Sequence, residues 1–506
     1  MINIIKKFIN FFVSDGNKKN KTPEKRPIDK SLRKSIGLFK KEFNGSADLI
    51  VREMIICDRD AAVISVDGLI DKDLTGDILR LITKFKTEEK DPEKIYKTLR
   101  DKITAFPDQV EITTYEDALN MAMVGCAVFA IDGCDRMISF GVQGFAFRGI
   151  SEPTSEKSQR GSREGFVEPV RINITMIRRR VTNPSLKFET MQIGSTTCTS
   201  VCICYLSDRA APEIIKEVKE RLKKCDLKTI TTSGCVSPYL EEDGDLSLFS
   251  GVGMSERPDT VCGKISEGRV AVIVDGSPTV LIVPYLFAEY FHNIDDYALR
   301  PYFASLNRIL KFIAFFVSSL LPGLYVGFTT FNPELFPGEL LNKIALAVGT
   351  TPFSLMFETL IIHFLYEIMR EAGLRLPQNL GHAVGIVGGL VIGDAAINSG
   401  LIGAPTLMVV AITAISSYVV PNLYEPIALL RLFFVIAGGI LGIWGIMILF
   451  SAVLVNICSK SNFGIPFTAP ISPFELLGMR DTFIRSSWKI LSKRQNKIQE
   501  MPGTKL

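Results

Sequence analysis

From Ile309 to Ile457 the chain is a series of long apolar runs with few charges, and this stretch limits the possible folds more than any other feature. A helix needs roughly 20 mostly apolar residues to cross a bilayer. Runs of this kind occur at Ile309–Phe328, Pro352–Met369, Leu380–Ile402, Pro405–Val420 and Leu432–Ile457. Pro322 and Pro352 sit where helices break or kink, and Leu340–Thr351 reads as a half-helix or re-entrant segment, so five spans are expected within a range of four to six. Up to about Arg308 the chain instead alternates apolar with polar residues and is rich in charge. The fold class is therefore a two-lobe mixed α/β N-terminal region followed by a polytopic transmembrane helical domain. The mean hydropathy of +0.24 averages these two halves and describes neither.

The start of the chain, MINIIKKFINFFVSDGNKKNK, is a poor export signal, because Lys6 and Lys7 break its apolar stretch and no small-residue cleavage site follows. The N-terminal region is thus expected in the cytoplasm. A basic flexible arm occupies 1–40, a first α/β lobe 41–160, a second 161–300, the transmembrane domain 301–457 and a basic tail 458–506. The arm reads as solvated or in contact with anionic membrane lipid. Arg370 and Arg375, and the tail's Lys460, Arg480, Arg485, Lys489, Lys493, Arg494, Lys497 and Lys505, favour the cytoplasmic side. Five spans would put that tail outside, so parity stays open.

Within the lobes, three apolar runs end in Asp-Gly, at Asp67-Gly68, Asp132-Gly133 and Asp275-Gly276. Each reads as a buried strand leaving by a tight turn, the last forming a hairpin with Thr279–Val283. Further strands are expected at 170–180, 186–194 and 199–206, and helices at 73–86, 115–124 and 212–224. The polar segment 155–165 divides the lobes.

Few residues carry chemistry. Totals of 58 Lys and Arg against 54 Asp and Glu give no excess suited to nucleic acid. Ten Cys and three His offer no paired CxxC, so no metal site is expected. Gly263-Lys264-Ile265 fails as a P-loop and Gly251-Val252-Gly253 as a dinucleotide fingerprint, leaving no catalytic residues and no cofactor. Cys202 and Cys204 share a strand face and read as buried thiols, with Cys198 at its entry. Arg178, Arg179 and Arg180 are expected to pair with Glu164 and Glu168 or to meet lipid headgroups.

The spans are more informative. Gly381, Gly385, Gly389 and Gly393 recur at every fourth position, a ridge that lets another helix approach closely in lipid, within one chain or between subunits. Gly438, Gly442 and Gly445 form a weaker one. Ionisable groups in a bilayer are costly and point to function. Glu358 and the pair Asp394 and Asn398, four residues apart on one helix face, are candidate pore or gating groups. His363 and Glu367 read equally as interhelical or span-end groups.

Several of these segments together resemble the A subunits of GerA-type spore germination receptors. The resemblance is carried by Arg163–Glu168, Asn173, Ile177–Arg180, Glu256–Asp259, Glu267–Arg269, Asp275–Pro278, Asp296-Tyr297, Arg370–Pro377, Gly385–Gly393, Ala469–Phe474 and Arg480-Asp481, collinear over roughly residues 45 to 490. It implies a protein of the spore inner membrane that works with B and C subunits, assembles as a homo-oligomer, a pentamer, and opens a cation-conducting pore when the B subunit binds nutrient. No catalysis is implied. Two other roles are open: an accessory channel of the dipicolinate-release machinery within the same family, and a ligand-binding domain anchored by its helices.

Overall fold

The computed structural model describes residues 26–505 except 86, 88, 90, 103–108, 145–151, 154, 155, 157, 243–246, 377–392, 477 and 492–496. Two compact units result: Met1–Tyr285 with Ser461–Ile465 and Ser487–Leu506, and Leu286–Lys460 with Pro466–Ser486.

The first unit holds two antiparallel five-stranded sheets. In chain order its first half comprises α1 (Leu32–Phe43), β1 (Leu49–Ile56), β2 (Arg59–Val66), α2 (Lys72–Lys84), α3 (Pro92–Lys102), β3 (Gln109–Ile112), α4 (Tyr115–Met123), β4 (Ala127–Ile131) and β5 (Met137–Phe140). Its second half comprises α5 (Val170–Arg180), β6 (Leu186–Ile193), β7 (Thr199–Leu206), α6 (Pro212–Lys223), β8 (Gly253–Ser255), α7 (Pro258–Ser266), β9 (Val270–Val274) and β10 (Val280–Val283). The strand orders are β1-β2-β4-β5-β3 and β6-β7-β9-β10-β8. These are the same order, and the helices fall at matching points: one before each long hairpin, one before each short hairpin. The two lobes are topological repeats of one unit.

Both faces of the first sheet are covered. One face packs Ala62, Ile64 and Val66 against Leu32, Ile36, Phe39 and Phe43 of α1 and Tyr115, Leu119 and Met123 of α4. The other packs Ala61, Val63, Phe129 and Ile131 against Ile78 and Ile82 of α2 and Ile95 and Leu99 of α3. A strand covered on both sides has no polar face, which is why Ala127–Ile131 is an unbroken apolar run, buried throughout. All three Asp-Gly glycines adopt positive φ (Gly68 +81°, Gly133 +92°, Gly276 +83°) and leave strands as expected. Asp71 caps α2 by accepting from the Asp73 and Leu74 amides, and Pro212 opens α6.

One expected strand is a helix. Residues 170–180 form α5, and the alternation of Val170, Ile172, Ile174 and Met176 that imitates a strand is overridden by the burial of Val170, Asn173, Met176 and Ile177 at helical spacing. Asp275 accepts from the Val170 amide at 2.9 Å at the start of this helix, and the Asn173 side chain clasps both backbone groups of Val167. Residues 28–39, placed by sequence in the arm, contribute Ile28, Leu32, Ile36 and Phe39 to the first core.

The second unit is helical: α8 (Asp295–Ala298), α9 (Pro301–Phe331), α10 (Gly338–Gly349), α11 (Leu355–Arg375), α12 (Gly393–Asn398), α13 (Ala404–Val419) and α14 (Tyr424–Ser459). Among the described residues two helical segments, Pro301–Phe331 and Pro421–Ser459, are long and apolar enough to cross a bilayer. Pro322 lies inside α9, which continues through it. The other expected spans correspond to α11, which carries Glu358, His363, Glu367, Arg370, Glu371 and Arg375, to the 16-residue α13, and to Leu380–Ile402, most of which lies outside the described residues. Leu340–Thr351 falls largely on the separate helix α10.

Candidate functional site

The helical unit gathers its polar groups on α11. Glu358 is fully buried one turn into this helix. Its carboxylate accepts from the Gly403 amide at 2.8 Å and from the Thr351 hydroxyl at 3.3 Å. Gly403 is the N-cap of α13, so the carboxylate sits where a helix start offers unpaired N–H groups and positive potential. The first candidate acid is thereby engaged in seating α13. Asp394 and Asn398 are both exposed on the short helix α12, and neither makes a hydrogen bond or ion pair among the described residues. The structure does not bring them to Glu358.

Farther along α11, Glu367 is a hub. It accepts from the Tyr424 hydroxyl at 2.6 Å, pairs with Arg370 at 3.1 Å, and forms an ion pair with Arg431 of α14. The Arg370 guanidinium lies 3.9 Å above the Tyr424 ring. Arg431 is 2% exposed, and its role escapes a reading that starts the last span at Leu432. A lone Arg beside a run of apolar residues was the available signal. His363, one turn earlier on α11, is buried, and among the described residues neither ring nitrogen has a hydrogen-bond partner.

Helices α9 and α14 cross at glycines. A Cβ on Gly323 would lie 2.5 Å from the Phe434 carbonyl oxygen, and one on Gly438 2.4 Å from the Gly323 carbonyl oxygen. The backbones touch, as small-residue ridges permit. The weaker of the two sequence ridges is thus seen packed. Of the stronger ridge, Gly381, Gly385 and Gly389 lie outside the described residues, while Gly393 is buried with Leu407 of α13 3.3 Å from where its Cβ would stand. Gly442, with φ +63° and ψ −143°, interrupts α14.

At the start of α9, buried Arg308 pairs with Asp296 at 3.1 Å and with the Asp481 carboxylate at 2.8 Å, and Tyr297 donates to Asp481 at 2.7 Å. Two short sequence segments nearly 200 residues apart meet on this one cation.

In the first unit the lobes join through Arg178, which donates to Asp48 at 2.6 and 2.9 Å between the rings of Phe43 and Phe188. Arg179 and Arg180 both bind Glu164. Burial raises the Glu164 carboxyl, but the two guanidiniums outweigh it and hold the group below its usual range. Beside this joint is a cavity of about 690 Å³ lined by Asp67, Lys72, Arg171, Thr175, Thr190 and Ser200, among others. Burial pushes the Cys202 thiol up to about 12 and Cys204 well above its ordinary value, so both are inert, while Cys198 is exposed. Among the described residues no group of three His, Cys, Asp or Glu is arranged to hold a metal ion.

Comparison with known proteins completes the picture. The family profile described as Bacillus/Clostridium GerA spore germination protein matches residues 37–497. Spore germination protein KA of Bacillus subtilis is 36% identical, over 94% of this chain and 88% of that protein. Spore germination protein GerLA of Bacillus cereus is 30% identical over 92% and 94%, and the uncharacterized membrane protein YfkQ of Bacillus subtilis 32% identical over 95% and 94%. The crystal structure of the N-terminal domain of the A subunit of the Bacillus megaterium spore germinant receptor GerK3 aligns at 25% identity, covering 52% of this chain and 98% of that one, with a TM-score of 0.40.

Proposed function

The chain belongs to the GerA family of spore germination proteins, and from that premise we propose that it is the A subunit of a nutrient germinant receptor whose helical unit conducts cations. In this reading the helices sit in the spore inner membrane with the α/β lobes in the cytoplasm. The subunit assembles with B and C partners and with copies of itself into a ring of five, and nutrient bound by the B subunit opens the pore. The family membership over nearly the whole chain carries the proposal. The buried carboxylate of Glu358, the exposed Asp394 and Asn398 and the glycine crossing of α9 on α14 supply polar groups and two-helix packing of the kind a gated pore needs. Opening requires an alternative packing within a few kcal/mol, whose population nutrient binding shifts.

The deciding measurement is ion flux in vesicles holding this chain with and without its partner subunits. Nutrient-dependent cation release through the assembled set is expected, and its absence with correctly assembled subunits counts against a channel. Asp394→Ala is expected to change the flux or the nutrient threshold; unchanged values remove Asp394 from the conduction path. A second reading, ligand binding by the lobes, has the cavity between them in its favour. It requires that a small polar molecule bind the full chain and that filling the cavity by Thr190→Trp abolish binding.

A further inference from the structure

One surface of the first lobe, whose basic residues suit either solvent or anionic lipid, takes no part in the proposed channel. The inward face of α1 is consumed by the core through Leu32, Ile36, Phe39 and Phe43. Its outward face carries Arg33, Lys34, Lys40 and Lys41, all exposed, with exposed Lys30 just before it. Of these, Lys34 pairs with Asp29 at 3.1 Å on the surface. Gly37 stands between the basic turns with open space where a Cβ would be. Beside α1 runs a groove of about 650 Å³ lined by Arg33, Ile36, Gly37, Lys40, Met54 and Ile55, with Glu53 and Asp60 also on its walls. Ile55 is 72% exposed, two residues before the Cys57-Asp58 turn that ends the β1–β2 hairpin. A large aliphatic side chain left in water beside a row of cations is the composition of a surface that meets headgroups with its charges and the upper acyl region with one apolar tip.

We propose that the outer face of α1 and the tip of the β1–β2 hairpin form a docking surface for an anionic lipid bilayer. This rests on the membrane reading of the helical unit, to which the lobe is covalently joined. The charge complementarity lies in this end of the chain: through Lys41 there are twelve Lys and Arg against three Asp and Glu. Residues 2–13 also interleave Lys6 and Lys7 with eight Ile, Phe and Val, a mixture suited to a lipid interface and not to an acidic protein face. Each cation near an anionic surface is worth roughly fivefold in partition. Docking is therefore a sum over the row, sensitive to salt because the charges are exposed.

The test uses the full-length chain reconstituted in vesicles, with exposed Cys198 and Cys458 changed to Ser and Ile55→Cys labelled with a fluorophore. Flotation with the vesicles first checks that the helices are inserted; failure there overturns the membrane reading and docking with it, whereas flotation without charge-dependent quenching overturns docking alone. In vesicles with phosphatidylglycerol, a headgroup-attached quencher is expected to quench the label. The quenching should vanish in pure phosphatidylcholine and in high salt. Reversing Arg33, Lys34, Lys40 and Lys41 together to Glu should weaken it by at least about a hundredfold. Equal quenching in neutral vesicles, or quenching that survives the reversal, overturns the proposal. So does a change that appears only when partner subunits are added, whatever the lipid charge, since that would make the face a protein contact.

Discussion

At the level of single residues, the groups that matter are those whose partners the chain supplies from far away. Glu367 was visible in the sequence as an ionisable residue in an apolar helix, but nothing in the spacing of α11 says that Arg431 meets it from α14. Removing the acid leaves the Arg431 side chain, 3% exposed, without its carboxylate partner. Because Glu367 itself keeps 31% exposure, the expected cost of Glu367→Ala is near the lower end of the buried-pair range, about 3 kcal/mol. The double change Glu367→Met with Arg431→Met should recover most of it, measured by thermal unfolding in detergent; a double variant as unstable as the single one would show that the pair is not the unit of stability. Lys187 gives a pH test. Its ammonium is buried in the joint between the lobes and donates to the carbonyls of Glu42 and Pro184. Desolvation, aided by nearby Arg178, lowers its pKa to about 8 from an ordinary 10.5. Between those values the unfolded chain holds a proton that the folded chain has released, so stability rises with pH through that window. Exchange protection of the β6 and β7 amides, corrected for intrinsic rates, should increase from pH 8 to 10, and the increase should be absent in Lys187→Met.

Secondary elements were legible where one kind of periodicity dominated. The hairpins with Asp-Gly exits and the helices α2, α4 and α6 follow their sequence patterns because local preference and tertiary burial agree. Helix α5 did not, since its strand-like alternation is overridden by burial at helical spacing and by the contact with Asp275, which comes from elsewhere in the fold. Between helices, the glycines at the α9–α14 crossing could be seen as a ridge on α14, but their counterparts Gly323 and Gly327 sit beside Pro322 and drew attention to a kink instead. Physical contact at this crossing is backbone on backbone, so no side chain can yield. Gly323→Val is expected to cost more than the roughly 1–3 kcal/mol of ordinary core overpacking, seen as a fall in midpoint temperature. Gly442→Ala is expected to cost about 1–3 kcal/mol, because positive φ with extended ψ is a region that only glycine adopts freely. If α14 tolerates Ala there without loss, the interruption at Gly442 is not required by the packing.

On the scale of the molecule, two features were hidden. The repeat of one sheet topology in both lobes has no sequence periodicity to reveal it, because the halves share strand order and not residues: β4 offers Ala-Val-Phe-Ala-Ile where β9 offers Val-Ala-Val-Ile-Val. Burial asks only for apolar strands of similar length, which many sequences satisfy. The C-terminal tail was read from its charge alone as a basic, cytoplasm-facing strip. Charge counting is blind to burial, and Lys460 and Arg485 are in fact 7% and 2% exposed. The segment serves each unit separately. In the first, the Asn462 side chain donates to the Gly251 carbonyl at 2.9 Å and accepts from Arg221 at 3.1 Å. In the second, Asp481 pairs with Arg308, and the Arg485 side chain donates to the Tyr297 carbonyl at 3.2 Å. A chain ended after Lys460 therefore loses buried partners in both units, leaving Arg308 with Asp296 alone among its acids at full strength and Gly251 without its amide donor. The expected result is a protein that keeps both long apolar helices, α9 and α14, but that unfolds at lower temperature in both its sheet and its helical signals. Restoring only residues 461–465 should recover part of the sheet transition, since Ser487–Leu506 also packs on this unit, and leave the helical one low. If the truncated chain matched the full one in both transitions, the tail would be the solvated strip that its composition describes.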